Sequence, residues 1–206
     1  MYDDVSTLLT RGVRVFRLRR TDIIAVYRDR LSLSKNDEND ATTLSMMDGG
    51  CFVEVTAEYV GLMKLIDEYH KQLNILKLLK QFKASAEAVK PIRRNKDRLA
   101  RQIIRMATNT MSIYRPLCET LGLSDDCLYG RVALADLLLH VDFTTKLRKI
   151  LCYVGLYKPN NGKYNHRLHQ AAINLAISHY RRRRIKAREA RQLLKTIKQT
   201  MTGGPA

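Results

Sequence analysis

Tryptophan is absent from this 206-residue chain, and Phe and Tyr bring the aromatic share only to 7%. A large base-stacking platform is therefore not expected. The four cysteines, Cys51, Cys118, Cys127 and Cys152, form no CxxC pair, which argues against a zinc ribbon and a thioredoxin-like motif. No apolar run reaches transmembrane length. Met1, Tyr2, Asp3 and Asp4 are too polar and acidic for a signal peptide. These absences predict reduced thiols in an intracellular compartment, cytoplasm or nucleus, or in the interior of a virion, and argue against secretion.

Acid is the other shortage. Thirty-seven Lys and Arg face 20 Asp and Glu, for a net charge of +17 and a pI near 10.0. Beyond Asp142 the one acidic residue is Glu189, against fifteen Lys and Arg. So one-sided a segment seeks a polyanion, either nucleic acid or an anionic lipid surface. Hydrophobic residues at 45% and charged residues at 28% are ordinary for a folded domain, so disorder of the whole chain is not expected.

Motifs for catalysis are missing as well: there is no P-loop, no Rossmann glycine pattern, no GxSxG and no HExxH. Asp37, Glu38 and Asp40 lack a basic partner in any recognisable motif, and Asp125 and Asp126 read as helix-capping residues. His166 and His169, near Cys152 in sequence, have no local carboxylates to orient them as metal ligands. The sequence therefore predicts a non-enzymatic protein with no metal and no cofactor.

What remains is helical. The expected fold is mainly α, a single bundle of about six or seven helices, with a short β-hairpin near residues 13–18 and 51–56 suggested by alternation. Residues 1–165 form the predicted core domain. Within it, Thr21 and Asp22 open a helix carrying Ile24, Tyr27 and Leu31. The acidic stretch 32–48 reads as a mobile loop. A long amphipathic helix from about Thr56, on Tyr59, Leu62, Ile66, Tyr69, Leu73 and Leu76, is expected at the centre and to stop at Pro91. Lys90 to Lys96 then reads as a basic connection, and Asn95 as the cap of a helix on Leu99, Ile103 and Met106. Ser124, Asp125 and Asp126 cap a strongly apolar helix to His140, and Asp142 opens another on Leu147, Ile150, Leu151 and Val154. A turn at 157–164 leads to a basic C-terminal helix, 166–201, and a flexible tail, 202–206.

That last helix carries a heptad seam of His169, Ile173, Ala176, Tyr180, Arg183, Ala187, Ala190, Leu194, Ile197 and Met201. With residues 100° apart, four consecutive arginines must place one on the seam, and a lone buried guanidinium is costly. The helix must therefore project as an arm, bend, or let Arg183 reach out of a shallow interface. The arm is the preferred outcome, with Ala187, Ala190, Leu194 and Ile197 docking on a second subunit to make a homo-oligomer.

Three basic clusters follow as nucleic-acid-binding candidates. The first is Arg181, Arg182, Arg183 and Arg184 with Lys186, Arg188 and Arg191; the second is Arg93, Arg94, Lys96 and Arg98; the third is Arg14, Arg17, Arg19 and Arg20. Dispersed cations suit sequence-independent contact with phosphates, as in a nucleocapsid or other packaging protein, on RNA in preference to DNA. The rival readings are a matrix or peripheral protein on anionic membrane, a helical adaptor for an acidic protein, and a helix-turn-helix regulator of DNA.

Overall fold

The computed structural model describes residues 2–19, 22–157 and 164–203. Thr21 as a cap, the side chain of Asp22, Arg20, most of the turn at 157–164 and the last tail residues lie outside the described residues. The fold is mainly α, 71% helical, with ten α-helices and a two-stranded antiparallel sheet among the described residues. The chain divides into two units, Met1–Val60 and Gly61–Ala206.

In the first unit the alternation around Val13 and Val53 yields the expected strand pair. β1 (Val15–Leu18) runs antiparallel to β2 (Phe52–Val55), with Val15 opposite Val55 and Leu18 opposite Phe52. Helices α1 (Tyr2–Thr10) and α2 (Asp22–Arg30) flank β1 in sequence. The stretch read as a mobile loop is instead ordered around α3 (Asp37–Ser45). Asn36 caps it by accepting the Asn39 N–H at 2.7 Å, and three acids in the first turn favour the positive end of the dipole. Thr43 is wholly buried, and Asp40 accepts a 2.5 Å bond from Arg28 on α2.

α4 (Ala57–Gln81) is capped by Thr56, whose hydroxyl accepts the Tyr59 N–H at 3.2 Å. It buries Leu62, Ile66 and Tyr69 and then loses its core, since no residue beyond Gln72 on this helix is buried. Pro91 does not end it. α4 stops at Gln81, where Lys83 adopts a left-handed φ of 50° and the Ala84 N–H closes on the Leu79 carbonyl. Ser85 caps α5 (Ala86–Thr110), and Pro91 lies inside that helix on exposed backbone, where water can take the carbonyl it leaves unbonded. The expected basic connection is therefore helical, and Asn95 is not a cap; its side chain accepts from Arg98.

The central helix is α7 (Leu128–His140) rather than α4. Residues 130, 132–137 and 139 on it are all buried, as an element apolar on every side requires. Before it comes α6 (Tyr114–Thr120), with Pro116 harmless in the first turn. The Ser124–Asp126 signature does not cap α7: Ser124 bonds Asp126 and Asp125 pairs with Arg131. Asp142 caps a turn at Thr144, and α8 (Leu147–Tyr153) begins later than expected, burying Ile150 and Leu151. α9 (His166–Tyr180) and α10 (Ala187–Thr202) replace the single C-terminal helix.

Candidate nucleic-acid interface

α5 shows most directly how sequence makes a cationic surface. Leu99, Ala100, Ile103 and Ala107 recur at steps of one, three and four and are buried. The opposite side is left to charge. Lys90, Arg94, Arg98, Arg101 and Arg105 follow at steps of four, four, three and four, and all five are exposed. At 100° per residue they fall within about 80° of one another, and they span about 22 Å of helix. Arg93 is exposed beside this row, whereas Lys96 is not part of it. Lys96 lies 3.8 Å from the Tyr129 ring centroid and 3.6 Å from Asp97, and burial pulls its pKa down against the pull of that carboxylate. Asp97 stands at the edge of the row, about 20° outside it around the helix, and accepts a 2.6 Å bond from the Tyr129 hydroxyl. Sequence reasoning selected Arg94 and Arg98 and passed over Lys90, Arg101 and Arg105; the 4-4-3-4 spacing was the signal that could have found them.

The arginine row has another geometry from the one expected. α9 ends at Tyr180, and Arg181 takes φ 51° and ψ 40°, with its own N–H and that of Arg182 both closing on the Ile177 carbonyl. The chain therefore bends within the row, and Arg181, Arg182, Arg183 and Arg184 are all exposed. No guanidinium has to enter a core. Arg181 Nη2 donates to Ser124 Oγ at 3.3 Å, and Arg182 Nη1 donates to Glu189 Oε1 at 3.3 Å. The other oxygen of Glu189 accepts the Lys186 N–H at 2.7 Å, closing the first turn of α10. Lys186, Arg188 and Arg191 are exposed.

Of the seam residues expected to meet another subunit, Ala190, Leu194 and Ile197 are occupied within the chain, whereas Ala187 is exposed. Ala190, Leu193, Leu194 and Ile197 are 3% exposed or less, and Lys198 Nζ donates to the Phe143 carbonyl at 2.9 Å. The unbroken heptad count crosses the bend because spacing along the chain carries no record of helix continuity. α10 is thus a helix folded back on its own unit instead of an arm.

Arg181 and the neighbours of the α5 row, Lys96 and Asp97, reach the same end of α7. Ser124, just ahead of that helix, receives Arg181; Tyr129, in its first turn, receives Lys96 and Asp97. The third cluster belongs to the first unit and is engaged in holding it together. Arg14 forms a two-pronged pair with Glu54 at 2.9 and 3.2 Å, Arg17 stacks 5.0 Å from the Tyr59 ring centroid, and Arg19 Nε donates to the Gly50 carbonyl at 3.1 Å.

A buried polar network that the sequence reading missed holds the second unit in register. Asp136 on α7 is 1% exposed. Its Oδ1 takes Arg167 Nη2 at 2.9 Å and lies 3.0 Å from His140 Nδ1; its Oδ2 takes His70 Nε2 at 2.7 Å and Arg167 Nε at 3.2 Å. Arg167 Nη1 also reaches Asp67 at 2.6 Å. Burial pushes the Asp136 carboxyl up, but the bonds from His140, His70 and Arg167 outweigh it and hold it well below the usual carboxylate range. A lone acid in the run 132–139, otherwise all Ala, Leu and Val, was the available signal. The network ties α4, α7 and α9 together and leaves the carboxylate fully bonded, which is the arrangement of a structural clasp.

His166 and His169 are likewise taken up locally: both rings pack on Tyr164, and His169 Nδ1 donates to the Val154 carbonyl at 3.1 Å. Among the described residues no group of three or more His, Cys, Asp or Glu could hold a metal ion, and no helix is long and apolar enough to cross a membrane. The four cysteines are free thiols. Compared with protein-family models, with curated proteins and with solved structures, the chain matches none.

Proposed function

We propose that this chain binds nucleic acid through the phosphate backbone, as a packaging protein of the nucleocapsid or nucleoid kind. The observation that carries the reading is the row of Lys90, Arg94, Arg98, Arg101 and Arg105, exposed on one face of α5 and paired with no carboxylate among the described residues. One cation per helical turn over about 22 Å presents a line of charge to a line of phosphates. Binding then draws its free energy from release of condensed counterions and is indifferent to base sequence. Arg183 and Arg184, exposed at the α9–α10 bend, extend the cationic surface. RNA is the first polymer to test, because among the described residues no element offers a helix-turn-helix reading head; the α8–α9 connection, 154–165, is far longer than the turn of that motif.

The deciding experiment is fluorescence anisotropy with single-stranded RNA and duplex DNA of equal length, titrated at several potassium chloride concentrations. A steep linear fall of log affinity with log salt, on more than one base sequence, supports the reading. Absent binding, or affinity that ignores salt, removes it.

A further inference from the structure

Residues 73–98, comprising the end of α4, the turn after it and the first half of α5, include no buried residue. Six large apolar side chains nevertheless fall within 73–82: Leu73, Ile75, Leu76, Leu78, Leu79 and Phe82. At 100° per residue the five on α4 cover all of the helix except a face of about 140° that holds Asn74 and Lys77. Ile75 is 37% exposed, Leu78 52% and Phe82 80%. A helix end this broadly apolar with no buried residue is the pattern of an element that something else covers.

The space between α4 and α5 has the form of a receptor for that cover. A cavity of about 910 Å³ lies there, floored by Leu73, Leu76, Leu79, Ala86 and Val89. Its rim carries Lys77, Lys80, Lys83, Lys90, Arg93 and Arg94. One acid reaches it, Asp97, and that carboxylate is already bonded to Tyr129. We infer that this groove receives an acidic amphipathic helix of a partner protein, leucine-type side chains on the floor and carboxylates against the rim.

Charge and shape exclude the other occupants. The same hairpin of a second copy would bring six more cations against the rim. A nucleic-acid strand would satisfy the rim, but the lining holds no aromatic ring for its bases to stack on, so the apolar floor would stay uncovered. A lipid surface is planar, and this floor is concave. The inference stands apart from the nucleic-acid reading; Lys90 and Arg94 belong to both surfaces, so the test acts on leucines instead.

The probe is a fluorescein-labelled synthetic helix with leucines at i, i+3, i+4 and i+7 and glutamates on its flanks. The controls are a scrambled peptide of the same composition, phosphatidylcholine vesicles with and without phosphatidylserine, and a single-stranded RNA. The full chain should bind the amphipathic peptide at least about tenfold more tightly than the scrambled one, a difference of about 1.4 kcal/mol. Leu76→Ser with Leu79→Ser, which adds no charge beside Lys90 and Arg94, should remove that preference and leave RNA affinity unchanged. Lys80→Glu with Lys83→Glu should weaken the peptide and leave the circular dichroism spectrum intact, because none of these four side chains is buried. Equal binding of both peptides, or no loss in the leucine variant, would overturn the inference. So would vesicle binding that the leucine variant abolishes, which would make lipid the occupant, or loss of RNA affinity in that variant, which would make the groove part of the nucleic-acid surface.

Discussion

Arg167 grips Asp136 with two nitrogens, Nη2 at 2.9 Å and Nε at 3.2 Å, from the first turn of α9 to the middle of α7. Both partners are withdrawn from water, the carboxylate side chain being 2% exposed and the guanidinium 28%. Such a pair contributes little relative to apolar packing, but losing one partner leaves the other uncompensated. Asp136→Asn should therefore cost about 3 kcal/mol, read as a lower urea midpoint at neutral pH. Arg167→Met should cost a similar amount, because it leaves the buried carboxylate with only its histidine partners. A change in either variant under about 1 kcal/mol would place the pair among weak surface bridges.

The same carboxylate sets an acid limit. Its folded pKa lies below its unfolded value of about 3.9, because the bonds from His140, His70 and Arg167 outweigh the opposing cost of burial. A depressed carboxylate contributes stability that is fully present above about pH 4 and is lost as pH falls below that toward the folded value. Wild type and Asp136→Asn should thus differ most near neutrality and converge in acid. Urea midpoints measured stepwise from neutral to strongly acid pH check this. Parallel curves would show that Asp136 is not the titrating group.

At Gly130, α7 lies close against α9. A Cβ built there would overlap both Cβ and Oγ of Ser178. Overpacking at such a helix crossing costs about 1–3 kcal/mol, so Gly130→Ala should lower the melting temperature. Ser178→Gly in the same chain should recover part of that loss, since it removes the atoms that collide. Additive losses in the double variant would mean that the contact is not the cause.

How much of this was legible follows from what each signal depends on. Alternation needs only neighbours along the strand, so the β1–β2 pair was readable around Val15 and Val53. The first half of α4 was readable because Leu62, Ile66 and Tyr69 obey one period. Its second half was not, since an apolar run looks the same whether the chain's own core covers it or nothing does. Asn36 ahead of Asp37 and Glu38 was a cap signature overlooked because the segment had so little to bury. The bend near Arg181 was one of three outcomes that an arginine on the seam allowed, but the arm was preferred to it, because arginine is a good helix former and does not itself mark a helix end. Pro91 misled in the opposite direction: it sits in the second turn of α5 on an exposed side, where the helix continues and the freed carbonyl can reach water. The α5 row was legible in full, and it was missed because the charge run was read by density and not by phase.

Glu189, the one acid beyond Asp142, turns out to be a structural residue. It closes the first turn of α10 by accepting the Lys186 N–H and reaches back to Arg182 across the bend. Loss of an N-terminal cap costs about 1 kcal/mol, so Glu189→Ala should lower the melting temperature by a few degrees. Glu189→Gln keeps an acceptor for the backbone and should lose markedly less. Equal losses would assign the effect to charge alone, and to Arg182 before the cap.

The cation groups can be ranked by salt dependence. Each phosphate contact on a single strand contributes about 0.7 to the slope of log affinity against log salt. Arg98→Gln, Arg101→Gln and Arg105→Gln together should lower that slope by about 2 on single-stranded RNA, with the helical spectrum unchanged because all three are exposed. Arg183→Gln with Arg184→Gln should remove at most about 1.4. Arg14→Gln should leave the slope alone, since that guanidinium is already committed to Glu54. It should weaken the strand pair only slightly, because the bridge is largely exposed. If the α5 triple change leaves the slope intact while the change at the α9–α10 bend lowers it, the strand runs along the bend, and the row on α5 is only a solvated face.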